Sequence, residues 1–305
     1  MAELSVILVN YNGRRFLEPC LESLINESLL IPLEIIFVDN ASRDGSADFV
    51  ERFFSSVTVI RNGKNAGFSR ANNRGFAFSG ADLVLFLNTD TVVEPGVLKK
   101  MVDWMKAHPD AGALGPVLYG SDDRYQVSFG GRRTLLSEIL GKTLLNGRHR
   151  RKIARMARRR KSKRKKIPRV IRSKETVWLS GAALLVRREA FAEAGGFDEN
   201  YFLYFEDIDL CYRIREEGWK VKVLPRVRIF HEGGASTAAL SLRSRYYYRQ
   251  SQLYFYRKHN TRASSFLLRL YLRLNLLVLS FKGAWKGNNG KKIRKDFYGL
   301  LKERT

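Results

Sequence analysis

The first 120 residues alternate short runs of apolar, β-branched residues with longer segments whose apolar positions recur at helical spacing. The apolar runs predict strands at 5–11, 34–40, 57–62 and 82–90. The segments between them predict helices near 14–27, 44–54, 69–79 and 95–107. Strands that are apolar along their whole length, separated by helices, are typical of a parallel sheet covered on both faces. The first part of the chain is therefore predicted to be an α/β domain.

Polar residues follow each predicted strand at the point where the strand stops. These strand ends read Asn10-Tyr11-Asn12, Asp39-Asn40-Ala41-Ser42, Asn62-Gly63-Lys64-Asn65 and Asn88-Thr89-Asp90. In open α/β sheets, ligands bind at the carboxyl ends of the strands. The polar ends on this edge of the sheet therefore predict a binding site for a polar ligand.

The pattern changes beyond about residue 120. A loop-like stretch at 121–147 leads into the basic run RHRRKIARMARRRKSKRKK at 148–166, and ordered patterning resumes at 177–191. KVKVLP at 220–225 predicts another strand. The chain from 240 onward predicts helices that mix aromatic with basic residues.

The net charge suggests nucleic-acid binding as a candidate function, because 55 Lys and Arg against 30 Asp and Glu give a formal charge of +25. The charge is not uniform: residues 148–174 carry 16 basic residues and no acid, and residues 238–305 carry a net charge of +14. The rest of the chain has a net charge of −5. Nucleic-acid binding needs a basic surface, so it is a candidate property of the two basic segments alone.

Three features of the sequence bear on the cellular compartment and on membrane insertion. Cys20 and Cys211 lie far apart in the sequence, which favours free thiols in a reducing compartment over a disulfide framework. The N-terminal MAELSVILVNYN has no basic residue before its apolar run, which is typical of a first strand and not of a signal peptide. The longest apolar stretch, 266–281, is interrupted by two arginines and an asparagine, so a transmembrane span is not expected.

Phosphate binding by a glycine-rich loop is not predicted, because neither G-x-x-x-x-G-K-[ST] nor G-x-G-x-x-G follows the first strand. A pyrophosphate can also be held through a divalent cation with carboxylate ligands. Asp90, at the end of the strand in LFLNTDT, is placed to bind such a cation. The alternative is that Asp90 caps the helix that starts near Pro95. The residues alone leave both interpretations open.

Three carboxylates occur within four positions in YFLYFEDIDLCYR, residues Tyr201 to Arg213. Glu206, Asp207 and Asp209 lie among phenylalanine, leucine, tyrosine and isoleucine residues. Carboxylates are costly to remove from water unless something pairs with them. A helix here would let Asp209 pair with Arg213 four positions later. Apolar surroundings and neighbouring carboxylates raise the pKa of a carboxyl group, which suits a general base.

Several segments, taken in order along the chain, resemble one known family. They are VNYN, VDNAS, NAGFSRANNRG, FLNTD, GAALLVRREAFAEAGGFDENYFLYFEDIDLCYR and HEGGAS. Together they are similar to segments of the family 2 glycosyltransferases with a GT-A fold, in particular the bacterial rhamnosyltransferase-like branch. The resemblance covers roughly 1–120 and 175–237. It implies a Rossmann-like, mostly parallel sheet with helices on both faces, and an inverting transfer of a sugar from a nucleotide-sugar donor.

The resemblance places the donor nucleotide at Val9, Tyr11, Asp39, Asn65, Gly67, Arg70 and Asn88. Asp39 is expected to read the pyrimidine base, and Arg70 to offset phosphate charge. Asp90, in the family's D-x-D motif, is expected to bind Mn²⁺ or Mg²⁺ on the diphosphate of a dTDP- or UDP-sugar. Asn88 replaces the first aspartate of that motif, which leaves one fewer charge for the ion. His231 in HEGGAS resembles a further metal ligand.

The resemblance also assigns the chemistry of the carboxylate cluster. Asp207, in the family's ED pair, is expected to be the general base that deprotonates the acceptor hydroxyl, with Glu206 beside it as base or as orienting residue. WLSGAALLV resembles the segment that lines the acceptor site, which gives Trp178, Ser180 and Gly181 as acceptor-binding residues. For Trp178, stacking on a sugar ring and packing as a core aromatic at a strand start are both open.

The resemblance and the charge distribution together divide the chain. We expect a GT-A domain at 1–237, with a nucleotide-binding part at 1–120 and an acceptor part at 121–237. The acceptor part carries the basic insertion 148–174, and a basic, amphipathic helical region follows at 238–305.

The basic segments favour a membrane over nucleic acid as partner, because 148–174 has no aromatic residues among its basic ones. An anionic membrane surface or a polyprenyl diphosphate explains this segment, and a solvated loop is the alternative. Leucines with Arg269 and Arg273 suggest an interfacial helix or, alternatively, a dimer face. We therefore expect a cytoplasmic protein, peripheral on the inner face of the cell membrane, with a glycan or lipid-linked acceptor. The competing hypotheses are a nucleic-acid-binding protein and a non-catalytic membrane scaffold.

Overall fold

Ten strands and eight helices are defined in a computed structural model that describes residues 2–121, 123–135, 138, 175–232, 242–281 and 299. The strands are β1 Leu4–Asn10, β2 Leu33–Asp39, β3 Val57–Arg61, β4 Leu83–Asn88, β5 Thr91–Val93, β6 Ala111–Tyr119, β7 Phe129–Gly130, β8 Trp178–Leu179, β9 Ala183–Arg187 and β10 Lys220–His231. The helices are α1 Arg14–Ser28, α2 Ser46–Phe53, α3 Phe68–Ala77, α4 Val97–Ala107, α5 Arg188–Glu193, α6 Glu206–Glu216, α7 Leu242–His259 and α8 Arg262–Phe281. The four strands and four helices predicted in the first 120 residues are all confirmed within about two residues at each end.

Eight strands form one sheet in the order β3-β2-β1-β4-β9-β6-β10-β5. β3, β2, β1 and β4 are mutually parallel, and β6 pairs in parallel with β10. β9 runs antiparallel to both of its neighbours, and β5 runs antiparallel to β10. The mostly parallel α/β architecture expected from the sequence is confirmed, with an antiparallel strand inserted between its two parallel blocks.

Helices cover both faces of the sheet, as side chains that alternate along a strand require. On one face, Val6 and Leu8 of β1 join a core that includes Leu21 of α1 and Met101 of α4. On the other face, Phe86 of β4 packs against an aromatic cluster from α3, α5 and the following loop. That cluster consists of Phe76, Phe191 and Phe197. Burial on both faces explains why these strands are apolar along their length.

The register of the parallel strands brings their polar ends to one edge. Asn10 pairs directly with Asp39, and Val9 pairs with Asn88. The turn after β4 leads into β5, whose Thr91 pairs with His231 at the end of β10. Residues separated by more than a hundred positions therefore meet at the carboxyl edge of the sheet.

The chain divides into two compact units: Met1–Gly131 with Arg172–Leu240, and Arg132–Ile171 with Ser241–Thr305. The sequence assigned 132–171 to the acceptor part of the first domain, and those domain boundaries stay a prediction. The basic insertion 148–174 lies outside the described residues.

The second unit contains α7 and α8. A buried carboxylate, Glu138, accepts hydrogen bonds from Gln252 Nε2 of α7 at 3.0 Å and from Arg133 Nη1 at 3.0 Å, so its charge is compensated within the unit. Among the residues described, none of the helices combines the length and the apolar character that a bilayer crossing demands.

Candidate active site at the carboxyl edge of the sheet

The ends of β1 and β2 form a hydrogen-bonded floor. Asp39 is buried, and its Oδ2 accepts the Ser42 N–H at 2.9 Å while its Oδ1 accepts from Asn10 Nδ2 at 3.4 Å. Val9 is partly buried beside it, and Tyr11 is exposed. Each carboxylate oxygen has a further lone pair, so Asp39 retains acceptor capacity at this edge.

Asn40, next to Asp39, organises the loop between β3 and α3. Its Oδ1 accepts from Asn62 Nδ2 at 2.9 Å and from the Ala66 N–H at 3.0 Å. Its Nδ2 donates to Asn65 Oδ1 at 3.0 Å, and that oxygen also accepts the Gly67 N–H at 3.0 Å. The loop that carries the predicted donor residues Asn65 and Gly67 is thus held by one asparagine, whose role the sequence reasoning missed.

Gly67 joins this loop to the segment that carries the carboxylate cluster. It adopts a φ of +87°, and a Cβ at this position would lie 2.7 Å from the carbonyl oxygen of Phe202. That same oxygen accepts the Phe68 N–H at 2.8 Å. Only glycine fits a backbone approach this close at positive φ. The fold therefore requires glycine at position 67, independently of any ligand.

Arg70 extends from the first turn of α3 to Glu199, and Nε lies 2.9 Å from Glu199 Oε2. Both side chains are about half exposed to solvent. Exposed ion pairs of this kind contribute roughly 0–1 kcal/mol of stability. Arg70 would therefore lose little free energy if it exchanged Glu199 for a phosphate oxygen.

The second centre of the site combines the end of β4 with the end of β10. His231 Nε2 lies 3.2 Å from Asp90 Oδ1 and 3.4 Å from Asn88 Nδ2. The Asp90 carbonyl accepts the Glu232 N–H at 2.9 Å, which ties the two strand ends together. The predicted metal residues Asp90 and His231 are therefore brought together.

Asp90 and His231 together offer few ligands for the divalent cation that the sequence implies. One carboxylate oxygen and one imidazole nitrogen, 3.2 Å apart, can share one ion. Within the described residues, no group of three or more His, Cys, Asp or Glu side chains is placed to do so. Mg²⁺ and its relatives at phosphate sites take one or two protein carboxylates together with phosphate oxygens and water, so a two-residue set fits an ion that shares a diphosphate.

Gln126 contacts the far side of the His231 ring, and sequence reasoning missed this residue. Its Oε1 lies 2.6 Å from His231 Nδ1, and its Nε2 donates to the His231 carbonyl oxygen at 2.8 Å. A single glutamine in a loop carries no pattern, so only the fold reveals this contact.

The carboxylate cluster lies at the start of α6, where the backbone is strained. Tyr204 and Phe205 have φ values of +71° and +70°, which are costly for residues with bulky side chains. Helix α6 begins at Glu206, so all three carboxylates fall in its first turn, where the helix dipole favours negative charge.

Asp209 is fully buried and paired. Arg213 Nε donates to its Oδ2 at 2.8 Å, and Nη2 lies 2.7 Å from the same oxygen as an ion pair, while Tyr201 OH donates to Oδ1 at 3.3 Å. Arg213 also donates to the carbonyl oxygens of Ala194 and Gly196. The predicted pairing of Asp209 with Arg213 is confirmed, and it fixes the loop before α6 to the helix.

Asp207 is half-buried and is held by backbone groups. Its Oδ2 accepts the Gly181 N–H at 2.7 Å, and its Oδ1 accepts the Ile208 N–H at 2.8 Å. A Cβ on Gly181 would lie 3.2 Å from the Asp207 Cβ, a tight contact, so the small residue eases this approach. The carboxylate is thus oriented while part of its surface still faces solvent.

Glu206 differs from its neighbour because its side chain is only 5% exposed. Its Oε2 has no hydrogen-bond partner among the described residues. Burial, followed by repulsion from Asp207 and Asp209, raises the pKa of Glu206 well above its usual value. Adjacent residues of one turn therefore provide a buried carboxyl group with a raised pKa and a half-buried carboxylate.

The predicted acceptor residues are closely packed. Trp178 is 7% exposed, and its Nε1 donates to the Gly131 carbonyl oxygen at 3.1 Å. Ser180 is partly buried, and its backbone N–H donates to the Ser128 carbonyl oxygen at 2.8 Å. The burial of Trp178 favours packing over stacking on a sugar, whereas Gly181 reaches the site through its contact with Asp207. The acceptor role of all three stays a prediction.

Comparison with known proteins identifies the family. The family model of glycosyl transferase family 2 matches residues 5–195, which end before the carboxylate cluster. The N-acetylglucosaminyl-diphospho-decaprenol L-rhamnosyltransferase of Mycobacterium tuberculosis is 32% identical over 254 residues, covering 77% of this chain and 77% of that protein.

Solved structures share the fold. The mannosyltransferase PcManGT from Pyrobaculum calidifontis, in complex with GDP-Man and Mn²⁺, gives a TM-score of 0.58 at 15% identity, with 98% of this chain and 85% of that chain covered. GalNAc-T7 with UDP, GalNAc and Mn²⁺ gives a TM-score of 0.56 at 18% identity, with 84% of this chain and 50% of that chain covered. These likenesses show the GT-A fold. With the family model and the mycobacterial relative, they establish that this chain belongs to glycosyl transferase family 2, as a rhamnosyltransferase-like glycosyltransferase.

Proposed function

We propose that this glycosyltransferase inverts the anomeric centre, using Asp207 as general base and a divalent metal held by Asp90 and His231. The observation that carries the proposal is the difference between neighbours at the start of α6. Asp207 is half-buried and is oriented by the Gly181 N–H, whereas Glu206 and Asp209 are buried. Of the three, Asp207 combines a fixed orientation with access for a substrate.

The donor we propose is a dTDP- or UDP-sugar, with rhamnose as the first candidate sugar because of the mycobacterial relative. Asp39 has lone pairs left to accept from the N–H of a pyrimidine base. Asn65 and Gly67 contribute the loop held by Asn40, and Arg70 turns from Glu199 to phosphate. The remaining members of the proposed donor set are Val9, Tyr11 and Asn88.

Mn²⁺ or Mg²⁺ is the cofactor we propose. Asp90 Oδ1 and His231 Nε2 would hold the ion, and GT-A relatives solved with Mn²⁺ support this choice. When bound, the ion supplies positive charge that stabilises the departing diphosphate. Asn88, in place of a second carboxylate, leaves the site with one negative charge fewer.

The reaction we propose is a single displacement. Asp207 accepts the proton of the acceptor hydroxyl as the acceptor oxygen bonds to the anomeric carbon. The bond from that carbon to the phosphate oxygen breaks, and its electron pair leaves with the nucleoside diphosphate. Attack and departure on opposite sides of the carbon invert its configuration. The two backbone N–H groups hold Asp207 in place for the transfer.

The acceptor we propose is a glycan or a lipid-linked sugar. The mycobacterial relative is named for an acceptor on a decaprenol diphosphate, which supports a lipid-linked substrate. Trp178, Ser180 and Gly181 would form the wall of the acceptor site next to Asp207.

The test of this function is turnover of a panel of dTDP-, UDP- and GDP-sugars with Mn²⁺, Mg²⁺ or EDTA, using a lipid-linked N-acetylglucosamine diphosphate as acceptor. We expect one pyrimidine donor to be used in a metal-dependent way, with inversion read from the anomeric proton coupling of the product. Asp90→Asn should lower kcat/KM by about 100-fold or more. A matched variant, Asp110→Asn, removes an exposed carboxylate and should be unaffected. Equal turnover in EDTA, or retention of configuration, would contradict the proposal.

We also propose that α8 attaches the protein peripherally to an anionic membrane surface. Its exposed large apolar side chains, between 44% and 64% exposed, are Phe266, Leu267, Leu270 and Leu274. At 100° per residue they occupy an arc of about 100° on the helix. Arg262 and Arg273 border this arc on one side, while Leu268 and Leu272 on the opposite face are buried.

Charge complementarity selects the membrane as the partner of this arc. The described residues 242–281 contain eight Lys or Arg and no Asp or Glu. Each basic residue near an anionic leaflet contributes roughly 1 kcal/mol, and the apolar arc supplies an insertion face. Cytoplasmic location at the inner membrane surface would follow from these properties.

Vesicle sedimentation tests this attachment. Wild-type protein should pellet with phosphatidylglycerol vesicles and remain in solution with phosphatidylcholine vesicles. The double variant Phe266→Ser/Leu270→Ser should lose most of the binding, whereas Phe78→Ser, at another exposed phenylalanine, should keep it. If the double variant instead converts a dimer into a monomer in light scattering and leaves vesicle binding intact, the arc is a dimer face and the proposal is wrong.

A further inference from the structure

The contact between Gln126 and His231 fixes which nitrogen of the imidazole ring carries the proton. The side-chain amide of Gln126 spans two groups of one residue. Its Nε2 lies 2.8 Å from the His231 carbonyl oxygen, and its Oε1 lies 2.6 Å from His231 Nδ1. The hydrogen-bonding capacity of the carbonyl oxygen determines which end of the Gln126 amide is the NH₂ group and which is the oxygen.

A backbone carbonyl oxygen can only accept hydrogen bonds. The amide end that faces it must therefore be the NH₂ group, which places Oε1 against the ring. Oε1 can only accept as well, so His231 Nδ1 must be the donor and must carry a hydrogen. In the neutral ring, Nε2 is then left with its lone pair.

That lone pair is directed at the proposed metal site. His231 Nε2 lies 3.2 Å from Asp90 Oδ1, so in the neutral ring two electron-rich atoms face each other. The 3.4 Å contact to Asn88 Nδ2 agrees with the same tautomer, because an amide NH₂ can donate to the lone pair. A nitrogen lone pair next to a carboxylate oxygen is the arrangement that a divalent cation binds.

The backbone around Gln126 is itself anchored to the sheet. Its N–H donates to the Leu118 carbonyl oxygen at 3.0 Å, and Tyr125 forms a bridge with Tyr119 of β6. β6 is the neighbour of β10, which ends at His231. Gln126 is therefore held by β6 and contacts His231 at the end of the neighbouring strand, β10.

We propose that Gln126 is a positioning residue that holds His231 in the Nδ1–H tautomer and so presents Nε2 to the metal. This inference rests on the proposed metal-binding role of His231. Hydrogen bonds to the second nitrogen of a metal-bound histidine fix ring orientation and ligand basicity, and losing them costs about 10- to 100-fold in metal affinity.

The first test reads the tautomer without any metal. Full-length protein with ¹⁵N-labelled histidine is examined by long-range ¹H–¹⁵N correlation at pH 8.5, and the His231 signals are identified by their loss in His231→Asn. Wild type should show the Nδ1–H pattern. Gln126→Leu should shift to Nε2–H or to a mixture of tautomers. Gln250→Leu, at an exposed glutamine of α7, is the matched control.

The second test adds Mn²⁺ to the same samples and follows the paramagnetic broadening of the His231 signals. The midpoint concentration should rise about 10- to 100-fold in Gln126→Leu. It should stay near the wild-type value in Gln250→Leu. A role in folding alone would leave the tautomer and the midpoint unchanged in every variant that remains folded.

The outcomes separate this inference from the proposed function. An Nε2–H ring in wild type, or an unchanged tautomer and midpoint in Gln126→Leu, overturns the role of Gln126. An Nδ1–H ring that Mn²⁺ fails to broaden removes the metal role of His231, and with it the purpose proposed for the glutamine.

Discussion

Carboxylates gather at two places in the first unit, and each place holds them differently. At the strand ends, Asp39 and Asp90 lie among asparagines, a serine and a histidine, on the rigid edge of the sheet. At the start of α6, Glu206, Asp207 and Asp209 lie among apolar side chains after two residues with positive φ. Asp39 and Asp90 share similar polar neighbours along one edge of the sheet, whereas each of the three carboxylates at the start of α6 has different surroundings.

The second place teaches that adjacency in sequence does not mean equivalence in chemistry. Asp209 is neutralised by Arg213, Glu206 is buried with an oxygen that has no hydrogen-bond partner among the described residues, and half-buried Asp207 is held by two N–H groups. Burial and partners, which vary around a single helical turn, give the three carboxylates three different environments. Predictions that treat the three differently are the way to test this division.

The largest effect is expected at Asp207. Asp207→Asn keeps the shape and the hydrogen bond from Gly181 N–H but removes the basic oxygen, so kcat should fall by about 100- to 10,000-fold. The measurement is sugar transfer at saturating donor, with far-UV circular dichroism to confirm the fold. A loss below tenfold would mean that a different group removes the proton.

The next effect is on stability. Asp209→Asn leaves the Arg213 guanidinium largely buried without its counter-ion, which should cost about 3–5 kcal/mol. Thermal unfolding should then begin about 10 °C lower than in wild type. Asp110→Asn breaks the exposed pair with Lys220 and serves as control, with little change in Tm. Equal Tm values for the two variants would refute the distinction between buried and exposed pairs.

A gain is expected at the strand ends. Asn88→Asp adds a carboxylate 3.4 Å from His231 Nε2, at the position where the family's D-x-D motif has its first aspartate. The Mn²⁺ concentration for half-maximal activity should fall by about tenfold, because a second charge attracts the ion. Asn26→Asp, at an exposed asparagine of α1, is the matched control. An unchanged Mn²⁺ requirement would place the ion away from residue 88.

The parallel half of the fold could be predicted from the sequence because its strands are buried on both faces and punctuated by helices. β6 could not, because AGALGPVLY contains two glycines and a proline, which weaken the pattern of a strand. The structure supplies the reason for the glycines: a Cβ on Gly112 would lie 2.6 Å from Trp219, and one on Gly115 would lie 2.7 Å from Leu179. These close approaches are tertiary and leave no local signal.

The candidate site divides in the same way. Asp90, His231 and Asp207 lie in motifs, and the sequence could point to them. Gln126 and Asn40 act through side-chain hydrogen bonds to residues distant in sequence, so no spacing could identify them. The alternative that Asp90 caps α4 is not what the structure shows: the Gly96 and Leu98 N–H groups at its start donate to Glu27.

The smallest effect on activity is expected at Glu206, the neighbour of the proposed base. Because burial raises its pKa, the native state holds the proton more tightly than the unfolded chain does. Its contribution to stability is therefore fully present below the unfolded pKa and is lost as pH rises toward the folded pKa. Glu206→Gln mimics the protonated form, so kcat should stay within about threefold of wild type, while its Tm advantage over wild type should grow from pH 5 to pH 8. A Tm difference that is constant with pH would show that the pKa of Glu206 is not raised by folding. A 100-fold loss of kcat would show that Glu206 is the reactive carboxylate, and would reverse the assignment of roles within this turn of helix.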